Sequence, residues 1–325
     1  IETATTDEGK LTLATGVLAY QGEPLWDSVF DDDEQTVSLH RWNWLLRALV
    51  EDADKASVGW GLSLVRSWMA RKMARKDGLA WQPYTTGERI SNVCLFLALA
   101  KNGGERDNAG IGVPVDVAGA LHEMARYLAG RIEYHRVEFT GNHVINNARA
   151  LFFAGQTLRE PAYSDLALAI LDNDLPHLVS ADGFLREGSS HYQLLFTRWV
   201  LEMLWLAERT GHRDVHARLL DVAPSLVRQC WFFLVPAGKQ GNWAFPLFGD
   251  VSPDFPWEWL IGLPWSTLAR RYFDPGDGSK RPTWRGWSDL WEPAADLPVS
   301  DAEPKAHEKF RMFPKSNWYR VDWGR

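Results

Sequence analysis

The sequence predicts an all-α protein whose neighbouring helices stack as antiparallel hairpins, as in an α/α toroid or an α-solenoid. Three observations carry that reading. From about residue 41 to residue 234, apolar residues recur at helical spacing. The breaks between the apolar runs are short and contain Gly, Pro, Asn or Asp, residues that end helices. Alternation with a period of two is nearly absent, and no fixed repeat length appears, which disfavours arrays of the ankyrin or tetratricopeptide kind.

Taken in order, residues 1–35 are acidic and poorly periodic, ending in Asp31-Asp32-Asp33-Glu34; an irregular lead-in with one short helix or none is expected. Trp42, Leu45, Leu46 and Leu49 then share one helix face, and residues 58–74 repeat the pattern with Leu62, Val65, Trp68 and Met69. Thr85 or Thr86 suits the N-cap of the next helix, with Ile90, Val93, Cys94 and Leu97 on its apolar face and Gly103-Gly104 as its stop. Further helices are expected over 114–133, 142–158, 162–179, 189–210 and 214–234. The last hundred residues are rich in Pro, Gly and Trp, with short helices expected at about 257–272 and 286–291. Residues 311–325 read as a loop followed by a strand. A lone strand is not stable, so this segment reads as the start of a β domain after a helical domain spanning 1–310.

The chain has 325 residues, 46% of them hydrophobic, enough for one large domain or two smaller ones. Its net charge of −7 argues against a nucleic-acid surface, though a local cationic pocket for an acidic substrate remains compatible with it. Eighteen tryptophans suit either core packing or stacking on the C–H face of a sugar ring. Cys94 and Cys230 lie in apolar helical patterns and read as reduced and buried. No apolar run reaches the roughly 18 residues needed to span a bilayer. Phosphate-cradling, dinucleotide and nucleophile-elbow motifs are all absent, so no cofactor is expected. His212 and His216 have the spacing of a helical zinc pair, but Arg213 stands where a zincin carries Glu, so the pair reads as a solvated face and no metal is expected.

Two segments carry candidate chemistry. Residues 141–155 begin Gly-Asn-His-Val-Ile-Asn-Asn, and residues 182–193 read Asp-Gly-Phe-Leu-Arg-Glu-Gly-Ser-Ser-His-Tyr-Gln. Each places amide, imidazole or phenol groups at the start of an apolar helix. Amides and imidazoles neutralise carboxylates and a phenol moves a proton, a set that suits β-elimination on an acidic sugar. Asn142 equally suits a helix cap.

Four stretches together resemble the heparinase II/III-like polysaccharide lyases, a group that includes alginate lyases of similar build: Trp81-Gln-Pro-Tyr84 with Arg89 and Asn92; Asn142-His143 with Asn147; Glu187 with Tyr192; and Phe248-Gly-Asp250. The resemblance implies an incomplete α/α toroid followed by an antiparallel β-sandwich, of which this sequence would hold only the first strand. It also implies an acidic polysaccharide substrate, a cleft completed by the missing sandwich, and a periplasmic or secreted setting.

Lyases of this kind remove the C5 proton of a uronate and expel the 4-linked oxygen. Hydrogen bonds to the C6 carboxylate stabilise the enolate-like transition state, at roughly 3–4 kcal/mol per preorganised donor. Asn142 is the first candidate for that contact, aided by backbone N–H groups at its helix start. His143 either helps neutralise the carboxylate or acts as base. Tyr192 is the candidate acid, and also the base if a nearby Arg depresses its pKa. Substrate-binding roles fall to Arg89 and Asn92 (three apart, hence on one helix face), Trp81 and Tyr84 as stacking platforms, Glu187, and Asn147, the last expected to support His143 or the backbone. Asp250 reads as a loop organiser. Two alternatives stay open: a non-catalytic glycan-binding or biosynthesis-associated toroid, and a glycoside hydrolase using Glu187 and Asp250 as its carboxylates.

Overall fold

A computed structural model describes residues 8–22, 24, 26–51, 56–99, 112–233, 235–237, 242–252, 254, 310–313 and 318–321. The chain divides into two compact units, Ile1–Leu171 and Asp172–Arg325. The fold is all-α, with small two-stranded ribbons beside the helices. No helix among the described residues is long and apolar enough to cross a membrane.

The first unit opens differently from expectation. Residues 8–21 are not irregular: β1 (Glu8–Thr12) and β2 (Val17–Gln21) pair antiparallel, Leu11 opposite Leu18. Leu11 and Leu13 are buried on one face, and Leu13 N–H bonds Gly16 O at 2.8 Å to close the turn. The acidic run starts a helix. Asp32 caps α1 (Asp33–Arg41), its side chain accepting from Glu34 N–H, while Asp33 and Glu34 complement the positive end of the helix dipole. Trp42, in the left-handed region at φ 61°, separates α1 from α2 (Asn43–Glu51). Then come α3 (Val58–Lys72), capped by Ser57, a 3-10 turn at Leu79–Trp81, α4 (Pro83–Leu99), α5 (Val115–Ala129), α6 (His143–Leu158) and α7 (Pro161–Leu178), whose last turns belong to the second unit. Helix α4 starts at Pro83, a residue suited to the first helical position, so Thr85 and Thr86 lie inside it rather than capping it. The expected stop at Gly103-Gly104 lies outside the described residues.

Helix α4 packs against α1, α2, α5 and α6 and is buried around almost its whole circumference, polar residues included. Buried polar groups need partners, and here they form one network. Arg149 of α6 pairs with Glu88 of α4 at 3.0 Å, both side chains fully buried. The same guanidinium reaches Asn146 Oδ1 at 3.1 Å, and Asn92 Nδ2 donates to Arg41 O and to Asn43. Gly87 lets the two helices approach closely, since a Cβ there would stand 3.0 Å from Asn146 Nδ2. Removing one member of a buried pair leaves an uncompensated charge. Arg149→Ala is therefore expected to lower unfolding free energy by about 3–5 kcal/mol in denaturant titrations; a loss below about 1 kcal/mol, the range of an exposed pair, would contradict the burial.

A second cluster surrounds Arg89. Its guanidinium lies 4.2 Å from the Trp68 ring centroid, 5.3 Å from Trp81 and 5.7 Å from Trp42. Trp68 Nε1–H donates to His40 Nδ1 at 3.0 Å, and burial, then the Arg89 charge, pushes the His40 pKa down to about 3. Trp26, Trp42, Trp44, Trp199 and Trp205 are likewise buried, so these indoles are core and not sugar platforms.

In the second unit α8 (Ser190–Thr210) is capped by Ser189 and ends at Gly211. The single helix expected over 214–234 is two, α9 (Arg213–Leu220) and α10 (Ala223–Phe233), broken at Asp221-Val222. His212 caps α9, accepting from Val215 N–H at 3.5 Å. Both cysteines are free and buried, their thiols pushed up to about 12 by burial. β3 (Val235–Ala237) pairs with β4 (Asn242–Ala244), and β5 (Phe310–Phe313) pairs antiparallel with β6 (Trp318–Val321). The C-terminal segment is thus a hairpin instead of a lone strand, which resolves the stability problem a single strand would pose. The helices expected at 257–272 and 286–291 lie outside the described residues.

Candidate functional site

The first unit carries one group of candidate residues, at the start of α6. Asn142 is the N-cap, buried, with its backbone carbonyl accepting from Ile145 and Asn146. Its side chain makes no capping bond. His143, the first residue of α6, keeps 54% of its side chain exposed. Its ring rests against Tyr84 at a centroid distance of 4.5 Å, and its Nδ1 lies 3.0 Å from Glu133 Oε1.

Asn147, one turn further on, is wholly buried and holds Glu133 twice. Its Oδ1 accepts from Glu133 N–H at 2.9 Å, and its Nδ2 donates to Glu133 Oε2 at 3.0 Å. Asn147 thus bonds the backbone and the carboxylate that holds His143, in keeping with the supporting role expected of it. Tyr84 is also largely buried, between His143 and Arg41, whose guanidinium lies 4.9 Å from its ring centroid. It shapes the seat of His143 instead of offering a bare face to a sugar.

Three other expectations fail for one reason, burial. Arg89 is fully buried and donates to His40 O at 3.0 Å and Ala80 O at 2.8 Å, so it cannot clamp a carboxylate in solvent. Asn92 is fully buried in the Glu88–Arg149 network. Trp81 is buried, its Nε1–H on Lys72 O at 3.0 Å.

Cationic groups unmarked in the sequence line a surface cleft of about 380 Å³ formed by Lys76, Glu123, Arg126, Tyr127 and Arg131. Lys76 pairs with Glu123, and the Arg131 guanidinium lies 4.1 Å from the Tyr127 ring centroid. No carboxylate among the described residues pairs with Arg126 or Arg131, which leaves the cleft cationic within an acidic chain.

The second unit carries a separate group of candidate residues, at the start of α8. Ser189 Oγ accepts from Tyr192 N–H at 3.0 Å and donates to Asp250 O at 2.5 Å. Ser190 Oγ donates to Pro246 O and accepts from Phe248 N–H, both at 2.9 Å. The Phe248-Gly249-Asp250 loop is thus fastened to the first turn of α8. Gly249 has φ +71°, and a Cβ there would stand 3.1 Å from Ser189 Cα, so the position requires glycine. The loop places Asp250 Oδ2 where it accepts from the half-buried Tyr192 hydroxyl at 3.1 Å. His191 is buried beside it, its Nδ1 accepting from Ser252 N–H at 3.4 Å. Glu187 is exposed on the loop before α8.

No family model and no curated protein matches the sequence. Solved structures do match. The heparan sulfate lyase HepC from Pedobacter heparinus is matched with a TM-score of 0.50 and 16% identity, over 85% of this chain and 45% of that one. A mutant of the same protein gives a TM-score of 0.51 with the same identity and coverage. The likeness shows a shared fold with this heparan sulfate lyase. This chain spans less than half the length of the solved chains it matches.

Residues missed by the sequence reading share one trait. Glu133, Arg126 and Arg131 sit at the end of α5 and in the segment leading to Asn142, where no periodicity marks a face. The available signal was the charge density of residues 131–138 immediately before the Asn-His helix start.

Proposed function

We propose that this protein is a polysaccharide lyase that cleaves a uronate-containing glycan by β-elimination. The observation that supports this most is the start of α6: an exposed imidazole, held on a carboxylate, directly follows Asn142 at the helix N-terminus. In the reaction Asn142 donates its amide N–H to the C6 carboxylate, and His143 accepts the C5 proton, or adds a contact to that carboxylate while an ionised Tyr192 accepts the C5 proton. The C5–H electron pair becomes the C4–C5 double bond as the C4–O bond breaks. Tyr192, located by Asp250, swings its hydroxyl hydrogen to the departing oxygen. A β domain following the helical one would complete the cleft, and the substrate places the protein in the periplasm or outside the cell.

The cleft at Arg126 and Arg131 supports an acidic substrate, since its volume falls in the range of about 300–1,000 Å³ typical of ligand pockets. Arg126→Ala combined with Arg131→Ala is expected to weaken acidic-oligosaccharide binding about tenfold or more, by loss of charge-assisted hydrogen bonds. Calorimetry at two salt concentrations checks this. The effect should fade with salt, and a neutral oligosaccharide should respond to neither change.

Ultraviolet absorbance tests the activity itself, because each elimination creates an unsaturated uronate that absorbs. Heparan sulfate, the glycan named for the matched structures, comes first, followed by hyaluronan, alginate and bacterial exopolysaccharides. Binding without a rise in absorbance would support a glycan-binding module instead.

A further inference from the structure

The hydrogen bonds around Glu133 have a direction, and one group sets it. A main-chain N–H can only donate. Glu133 N–H points at the Asn147 side chain, so the atom it meets, 2.9 Å away, is the carbonyl Oδ1. The other end of that amide is then the NH2 group, which lies 3.0 Å from Glu133 Oε2 and needs an acceptor there. An ionised carboxylate is acceptor-only at both oxygens. Its remaining oxygen, Oε1, lies 3.0 Å from His143 Nδ1, and that contact is a hydrogen bond only if Nδ1 carries the hydrogen.

We propose that Glu133 is a positioning residue that fixes the neutral His143 ring in its Nδ1–H tautomer, leaving Nε2 as an acceptor. Asn147 is buried, so the polarity of the chain from main chain to amide to carboxylate is shielded from competing water. The tautomer decides what His143 contributes. A neutral ring of this form accepts a proton at Nε2 and donates nothing from it. This rests on the lyase reading only for the identity of the atom that Nε2 serves, and it favours the proton-accepting role of His143 over the carboxylate contact.

The replacement Glu133→Gln is nearly isosteric and tests the direction. Asn147 still presents its NH2, so the Gln carbonyl turns toward it. The Gln NH2 then faces His143 Nδ1, which must become an acceptor, and the hydrogen moves to Nε2. The measurement is the nitrogen–proton correlation spectrum of histidine-labelled protein without substrate. It is taken at about pH 8.5, where an ordinary imidazole is neutral, and the His143 signals are assigned by their loss in His143→Gln. The expected result is the Nδ1–H pattern in the wild type and the Nε2–H pattern in Glu133→Gln. With an active glycan, kcat should fall about 10²-fold and KM should hardly change, the size of lost general-base help. The wild-type spectrum needs no variant to fold: an Nε2–H tautomer there overturns the proposal, as does an unchanged tautomer in a folded Glu133→Gln. The expected spectra without cleavage of any glycan would sustain the positioning role and count against the lyase reading alone.

Discussion

Turnover should fall by about 10²–10⁴-fold in Tyr192→Phe, with substrate binding nearly intact, because the change removes the proton donor and little else. The phenyl ring keeps the packing at the start of α8, and Ser189 caps the helix through the main-chain N–H of residue 192, which is unaffected. The hydroxyl contact to Asp250 Oδ2 is lost, and that exposed bond contributes little to stability. Steady-state kinetics together with a thermal melt separate the outcomes. A large fall in kcat with an unchanged melting temperature supports the acid role. A fall confined to KM would make Tyr192 a binding residue, and no fall at all would remove it from the chemistry.

Asn142 should be as sensitive, for a different reason. Losing one preorganised donor to the developing charge costs about 10²–10³ in kcat. Asn142→Asp is the sharper variant, since it changes shape little. It exchanges an N–H donor for an oxygen that repels the uronate. Turnover should therefore drop at least as far in Asn142→Asp as in Asn142→Ala, while folding is retained. If Asn142→Asp keeps wild-type turnover, the residue has no part in the chemistry.

Helices α3, α5 and α7 were legible in the sequence because one side of each meets a core and the apolar period shows it, and α6 and α8, buried at almost every position, because their runs are rich in apolar residues. The β1–β2 hairpin was not, since its strands are five residues long and sit in an acidic context that masks the alternation around Leu11 and Leu13. Burial was the recurrent blind spot. Spacing places Arg89 and Asn92 on one face of α4 but does not say that the face is interior, and α4 is interior on nearly every side. The same limit affected Trp81, an apolar ring equally suited to a sugar and to a core. The Asn-His helix start and Tyr192 were found because each opens a strongly periodic helix. Glu133 escaped because its link to His143 runs through Asn147 across an aperiodic segment, a relation that only tertiary structure displays.

The most direct test of the account is the mass of the products released from a defined uronate-containing oligosaccharide. Elimination adds no water, so the fragment masses should sum to the mass of the intact glycan, with the new double bond in the non-reducing terminal uronate of the fragment that carries the original reducing end. Fragments whose masses sum to the glycan plus one water per cut, and a glycan that emerges uncut from prolonged incubation although it binds, would each contradict the lyase reading.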